Sequence, residues 1–171
     1  RPVPRLDTSI PAIGMGTYIT FNVGPDPDLR AQLLEVLRVF FDEGGGLIDS
    51  SPMYGTSEAV LGDLLLRLDD TSGLFSATKV WTGSTAEGRE QLRDSLDLWG
   101  LSRLDLEQVH NLVNWRGHLP ALREAREDGL IRSIGVTTSH GRRHGELEQV
   151  LREEPLDFVQ LTYNVVDRGV E

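Results

Sequence analysis

The sequence predicts an α/β chain of parallel strands joined by helices, a (β/α)8 TIM barrel truncated after about six βα units. Three observations predict it. Short apolar runs of strand length alternate with longer amphipathic stretches along the whole chain. Every connection between strand candidates is long enough to hold a helix, which joins parallel neighbours by right-handed crossovers. Four polar residues, Asp49, Tyr54, Lys79 and His110, sit where apolar runs give way to loops. In a parallel sheet those ends converge on one face.

The elements follow in order. Ile13-Gly14-Met15-Gly16-Thr17-Tyr18 reads as a short first strand with a polar end. Pro25-Asp26-Pro27-Asp28 starts a helix in which Leu29, Leu33, Val36, Leu37, Phe40 and Phe41 recur at helical spacing. Gly44-Gly45-Gly46 stops it and turns the chain into strand Leu47-Ile48-Asp49. A second helix runs from Ser57 with Val60, Leu61, Leu64, Leu65 and Leu68 as its apolar stripe, and a strand over 74–79 follows. Ser84-Thr85-Ala86-Glu87 reads as a capping box for a third helix, which buries Leu92, Leu96 and Trp99 and ends at Gly100. Next come a strand over 104–110 and a fourth helix marked by Leu119, Leu122 and Ala125 and closed by Gly129. A strand over 131–137, a fifth helix with Leu147, Val150 and Leu151, and a strand over 158–163 complete the chain.

No composition shift or linker divides the 171 residues, so a single domain is expected. A closed barrel needs two more units and typically about 250 residues. The expectation is therefore a barrel without strands seven and eight, in a natural protein that is longer. The rival is a doubly wound open sheet, which favours a Gly-rich phosphate turn directly after the first strand. Gly14-Met15-Gly16 lacks the third glycine, and the Gly44-Gly45-Gly46 run precedes a strand.

Composition narrows the function. The 39% hydrophobic and 26% charged shares are those of a globular protein. A net charge of −10 argues against nucleic acid or an anionic membrane as the main partner. With no Cys, disulfides, thiol catalysis and cysteine-bound zinc drop out. No apolar run approaches the roughly 20 residues of a spanning helix. The first residue is Arg, so an upstream segment is expected to have been removed or left out, a cleaved export signal among the options. The expectation is a cytoplasmic protein with a small-molecule partner, its oligomeric state open.

An acid, a phenol, an amine and an imidazole at strand ends suit proton transfer. A Tyr54 phenol of ordinary pKa, about 10, donates only weakly at neutral pH. A nearby ammonium lowers that value, and Lys79 is the candidate; Asp49 can pair with Lys79. A neutral His110 can donate one N–H to a carbonyl oxygen. Together these suit protonation of an oxygen on which negative charge develops, as carbonyl reduction requires. The hydride has no protein source, so a nicotinamide cofactor is needed. Taken singly, each residue has an ordinary role as loop cap, packed phenol, solvated charge or core imidazole. Their coincidence at three successive strand ends favours chemistry.

The chain resembles the aldo-keto reductase superfamily. Asp49-Ser50-Ser51-Pro52-Met53-Tyr54-Gly55, with Glu58 shortly after, resembles that family's Asp, four-residue spacer and Tyr-Gly signature. Ala77-Thr78-Lys79-Val80-Trp81 resembles its Thr-Lys strand, Asp105-Leu106-Glu107-Gln108-Val109-His110 its His-bearing strand, and segments 131–138 and 158–164 its fifth and sixth strands. The resemblance implies a catalytic tetrad: Tyr54 as general acid, Lys79 and Asp49 tuning it, His110 orienting the carbonyl. It implies NADPH as cofactor, with NADH left open. Gly16, Thr17, Tyr18 and Asp49 would lie near the nicotinamide and its ribose, and Gln160 would bond the carboxamide. Where the family usually has Ser-Asn for that amide, this chain has Thr137 and Thr138, and Thr lacks the paired donor and acceptor of Asn. Tyr18, Trp81 and Trp115 are expected to wall a substrate pocket. His140, Arg142, Arg143 and His144 read as a solvated basic turn, and no metal site is expected. The family's loops after strands seven and eight, which hold the cofactor's pyrophosphate and adenosine, are absent from the sequence. A second reading is a non-catalytic cofactor-binding or regulatory subunit on the same barrel.

Overall fold

The computed structural model describes residues 1–139 and 141–171. Six strands form one parallel sheet: β1 (Met15–Gly16), β2 (Leu47–Asp49), β3 (Phe75–Val80), β4 (Leu104–Val109), β5 (Ile131–Thr137) and β6 (Phe158–Gln160). Their spatial order is their chain order, with every neighbouring pair parallel. Each crossover thus sets the next strand beside the last, the winding of a barrel wall. Helices α1 (Pro27–Asp42), α2 (Ser57–Leu65), α3 (Thr85–Trp99) and α4 (Trp115–Glu127) connect them, and α5 (His144–Glu153) precedes β6. Before β1, Pro2–Val3 pairs antiparallel with Thr8–Ser9, a small hairpin that the sequence pattern does not announce.

Alternation sorts the side chains. Phe75, Ala77 and Lys79 share one face of β3, and Thr78 and Val80 the other. Phe75 and Ala77 pack with Leu106, joined by Ile10, Leu47 and Phe158, as the apolar floor inside the half-barrel. The opposite face meets the helices, where Val80, Val109 and Val136 pack against Leu92, Leu119 and Leu147. Trp99 joins a second cluster with Leu61 and Leu64 under α2. Gly62 lets α2 and α3 approach closely, since a Cβ there would lie 1.8 Å from the Leu98 carbonyl oxygen.

The helix ends follow local chemistry. Asp26 caps α1 by accepting from the N–H groups of Asp28 and Leu29, both at 3.0 Å, with Pro27 in the first turn. Ser84 accepts from the Glu87 N–H, but the return half of the expected capping box is missing. The Glu87 carboxylate instead accepts from Thr82 Oγ1 at 2.5 Å, and the Ser84 N–H donates to that same hydroxyl. Gly100 ends α3 in the left-handed region at φ 66°. Strands one and six are shorter than the sequence predicts, because backbone turns at 17–23 and after Gln160 take over. His110 lies just past β4 in a single 3-10 turn with positive φ at Asn111 and Leu112. The Asn111 N–H donates to Thr137 Oγ1 at 3.0 Å, which ties that turn to the end of β5. Among the described residues no helix is long and apolar enough to cross a membrane.

Candidate active site

The register builds the site. Asp49 pairs with Ala77, so Lys79 lies two residues further along the same interior face. Lys79 pairs with Gln108, which also faces inward. The Lys79 ammonium sits 2.7 Å from Asp49 Oδ2 and donates to the Ser50 carbonyl at 2.6 Å. Gln108 Nε2 donates to Asp49 Oδ1 at 3.2 Å and Gln160 Nε2 to Asp49 Oδ2 at 3.3 Å. Groups from β3, β4 and β6 therefore fix the carboxylate.

Tyr54 rises from the loop after β2. Its N–H donates to the Ser51 carbonyl, Ser57 Oγ donates to its carbonyl, and Gly55 turns the chain at φ 63°. Its ring is 5.0 Å from Tyr18 and 6.0 Å from His110, edge-on to the imidazole at 88°. The Lys79 ammonium lies 5.3 Å from the ring centroid. All four strand-end residues are thus brought together.

The electrostatics correct one expectation. Lys79 does not lower the Tyr54 pKa here; burial, then the Asp49 carboxylate and Tyr18, push it up to about 12. The ammonium is already paired with Asp49 and approaches the phenol over its ring. Tyr54 is therefore a fully protonated donor at neutral pH. Burial, followed by Lys79, lowers the His110 pKa to about 4, so the imidazole is neutral. Its Nδ1 is 3.0 Å from Ser51 Oγ.

The remaining expected residues divide. Gly16 lies at an open strand end, Tyr18 is 60% exposed, and Gln160 is exposed. Thr17 is fully buried, and its hydroxyl steadies the wall by donating to Ser50 Oγ at 2.8 Å. The Thr137 hydroxyl is taken by Asn111, and buried Thr138 donates its N–H to the Gln160 carbonyl. Trp81 is 43% exposed and borders a cleft with Pro52, Met53 and Val113. Gln91 holds the Trp81 backbone, accepting from its N–H and donating to its carbonyl. Trp115 does not wall that cleft. It is buried in the outer core, donates to Glu146 Oε1 at 3.0 Å, and carries Arg116 over its ring. In the basic turn, Arg143 pairs with Glu146 at the start of α5, and His140 lies outside the described residues.

Behind the sheet lies a carboxyl pair to which the sequence reading gave no role. Glu58 accepts from Thr78 Oγ1 at 2.7 Å, Trp99 Nε1 at 2.9 Å and Ser95 Oγ at 3.2 Å. Glu107, opposite Thr78 in register, is wholly buried, and among the described residues neither of its oxygens finds a hydrogen-bond partner. Burial first, then the Glu58 charge, pushes Glu107 well above the usual carboxylate range. Burial also raises Glu58, outweighing its three hydrogen bonds. Gln108 was equally unassigned, although its spacing two residues before His110 places both on one face.

The Aldo/keto reductase family model matches residues 12–171. Methylglyoxal reductase YeaE of Escherichia coli (strain K12) is 28% identical over 173 residues, covering 96% of this chain and 58% of that protein. The structure of glycerol dehydrogenase AKR11B4 from Gluconobacter oxydans superposes with a TM-score of 0.83 at 26% identity, covering 99% of this chain and 56% of the other. An aldo-keto reductase, AKR2E5, complexed with NADPH gives a TM-score of 0.71 at 26% identity, with coverages of 92% and 53%. The chain spans 52–58% of the length of the first four curated relatives it matches. A parallel six-stranded wall with these polar side chains at its strand ends, matched over nearly its whole length, places the chain in the aldo/keto reductase family.

Proposed function

We propose that this chain carries the proton-donating part of an NADPH-dependent reductase that converts aldehyde or ketone carbonyls to alcohols. The observation that carries the reading is a protonated phenol, Tyr54, 6.0 Å from a neutral imidazole, His110, at the strand-end face. Both groups can donate a hydrogen bond to one carbonyl oxygen. Tyr54 then gives up its hydroxyl proton as charge develops on that oxygen. An alkoxide is a far stronger base than a phenolate, so the transfer is downhill even from a phenol held at about 12. Asp49 holds the Lys79 ammonium in place 5.3 Å from the Tyr54 ring centroid.

The nicotinamide cofactor, when bound, supplies the hydride. The residues present fit it. Gly16 leaves open space, since a Cβ there would meet nothing within 4 Å. Tyr18 offers an exposed ring, and Gln160, anchored on Asp49 through its Nε2, keeps a carbonyl oxygen for a carboxamide N–H. Trp81 and Tyr18 would flank a small carbonyl substrate, and YeaE's name supports methylglyoxal among the first aldehydes to try.

The test is oxidation of NADPH, and separately NADH, followed by absorbance with a panel of aldehydes. Tyr54→Phe is expected to lower kcat by about 10²–10⁴-fold. Equal turnover by parent and variant would remove Tyr54 from the acid role. The competing reading, a cofactor-binding subunit without turnover, draws on the engaged Thr137 hydroxyl and the burial of Thr138. NADPH binding with no reduction of any carbonyl would favour it.

A further inference from the structure

We infer that Ser51 is a positioning residue that fixes the tautomer of His110, so that Nε2 carries the proton and points the donor N–H at the substrate oxygen. The inference rests on the carbonyl-reductase reading for its purpose, but its geometry stands on the chain alone. Ser51 Oγ lies 3.0 Å from His110 Nδ1, and the two residues are 1% and 6% exposed. A neutral imidazole has one N–H, and the partner of one nitrogen decides which nitrogen holds it.

The surroundings of Ser51 Oγ choose between the tautomers. Its other neighbour is the Met53 N–H, a donor at 3.5 Å, so the oxygen already faces one proton. If Nδ1 also carried a proton, the hydroxyl would face two donors, and its own proton would have no acceptor among the described residues. If Nδ1 is bare, the hydroxyl proton goes to it, Ser51 is satisfied as donor and acceptor, and only the Nε2–H is left free. Buried polar groups are overwhelmingly paired, so the second arrangement is favoured. The consequence is an Nε2–H directed away from Ser51, on the ring that lies edge-on to Tyr54. Backbone supports hold both partners. The Tyr54 N–H donates to the Ser51 carbonyl, and the turn carrying His110 is closed by the Val113 N–H on the His110 carbonyl.

Long-range proton–nitrogen NMR on the 15N-histidine-labelled chain reads the tautomer directly and needs neither cofactor nor substrate. His110→Gln identifies the signals of His110 among the four histidines. The parent is expected to show His110 as the Nε2–H tautomer between pH 6 and 8. Ser51→Ala is expected to convert it to a mixture of tautomers, and Ser51→Cys, which keeps a weak donor, to restore part of the Nε2–H population. An Nδ1–H signal in the parent, or an unchanged single tautomer in Ser51→Ala, overturns the inference. In the turnover assay Ser51→Ala is expected to lower kcat/KM about tenfold or more, as misplacement of a catalytic imidazole proton does. A tautomer that responds to Ser51→Ala in a chain that reduces no carbonyl upholds the Ser51 assignment and removes the reductase reading instead.

Discussion

The Lys79 ammonium is held 2.7 Å from Asp49 Oδ2, with side-chain exposures of 2% and 15%. Burial makes this pair unlike the exposed ion pairs of the helices, such as Arg152 with Glu148. Removing one partner leaves the other charged and poorly solvated. Lys79→Met is expected to destabilise the chain by about 3 kcal/mol in denaturant unfolding. The double variant Asp49→Leu with Lys79→Met should recover part of that loss. A double variant less stable than the single one would contradict the account.

His110 titrates far below its ordinary range, at about 4. Burial dominates, so the charged form is disfavoured in the folded chain. The unfolded chain binds the proton from about pH 6.5 downward. Stability contributed by the neutral ring is therefore present above that value and lost as pH falls towards 4. Following the His110 ring by NMR between pH 3 and 8 should give a midpoint near 4. A midpoint near 6.5 would show that the imidazole is not desolvated.

Glu107 carries the opposite sign. Its folded pKa is raised, so below about 4.3 both states are protonated and nothing is lost. Above that value the unfolded chain releases the proton while the folded chain keeps it. Stability must fall as pH rises from about 4.3 towards the raised value. Glu107→Gln removes this slope, and the variant should gain on the parent as pH rises above about 4.3 in thermal melts. The raised Glu58 contributes a residual slope of the same sign in both proteins. Parallel curves for parent and variant would mean that Glu107 is ionised and paired.

Trp81 and Trp115 are expected to separate substrate contact from stability. Trp115 is 3% exposed in the outer core, and Trp115→Ala is expected to cost about 3–5 kcal/mol. Trp81 is 43% exposed beside the strand-end cleft, so Trp81→Ala should leave the melting temperature within a few degrees. It should instead raise the KM for bulky aldehydes several-fold. A KM that moves with Trp115 and not with Trp81 would exchange these assignments.

How far the chain can be read without its fold depends on the range of each cause. Asp26 and Gly100 act within a few residues, so the first helix start and the third helix end are visible in the chain. The capping box at Ser84 was only half right because the Thr82 hydroxyl competes for Glu87. Trp115 was misplaced for a related reason, since apolar spacing alone does not tell a core ring from a pocket wall. The Pro2–Val3 and Thr8–Ser9 hairpin was missed because two-residue strands carry almost no periodic signal.

By itself, the order of apolar runs determined the alternation of strands and helices. It also placed Asp49, Tyr54, Lys79 and His110 on one end of the sheet, because side-chain alternation and parallel crossovers are local rules. Only the tertiary structure decided what those groups are electrically. It raised Tyr54 where a neighbouring lysine was expected to lower it, left Glu107 without a hydrogen-bond partner among the described residues, and set Ser51 against His110 across 59 residues of chain. Burial and the direction of a hydrogen bond depend on which distant elements close around a group, and the fold alone supplies that enclosure.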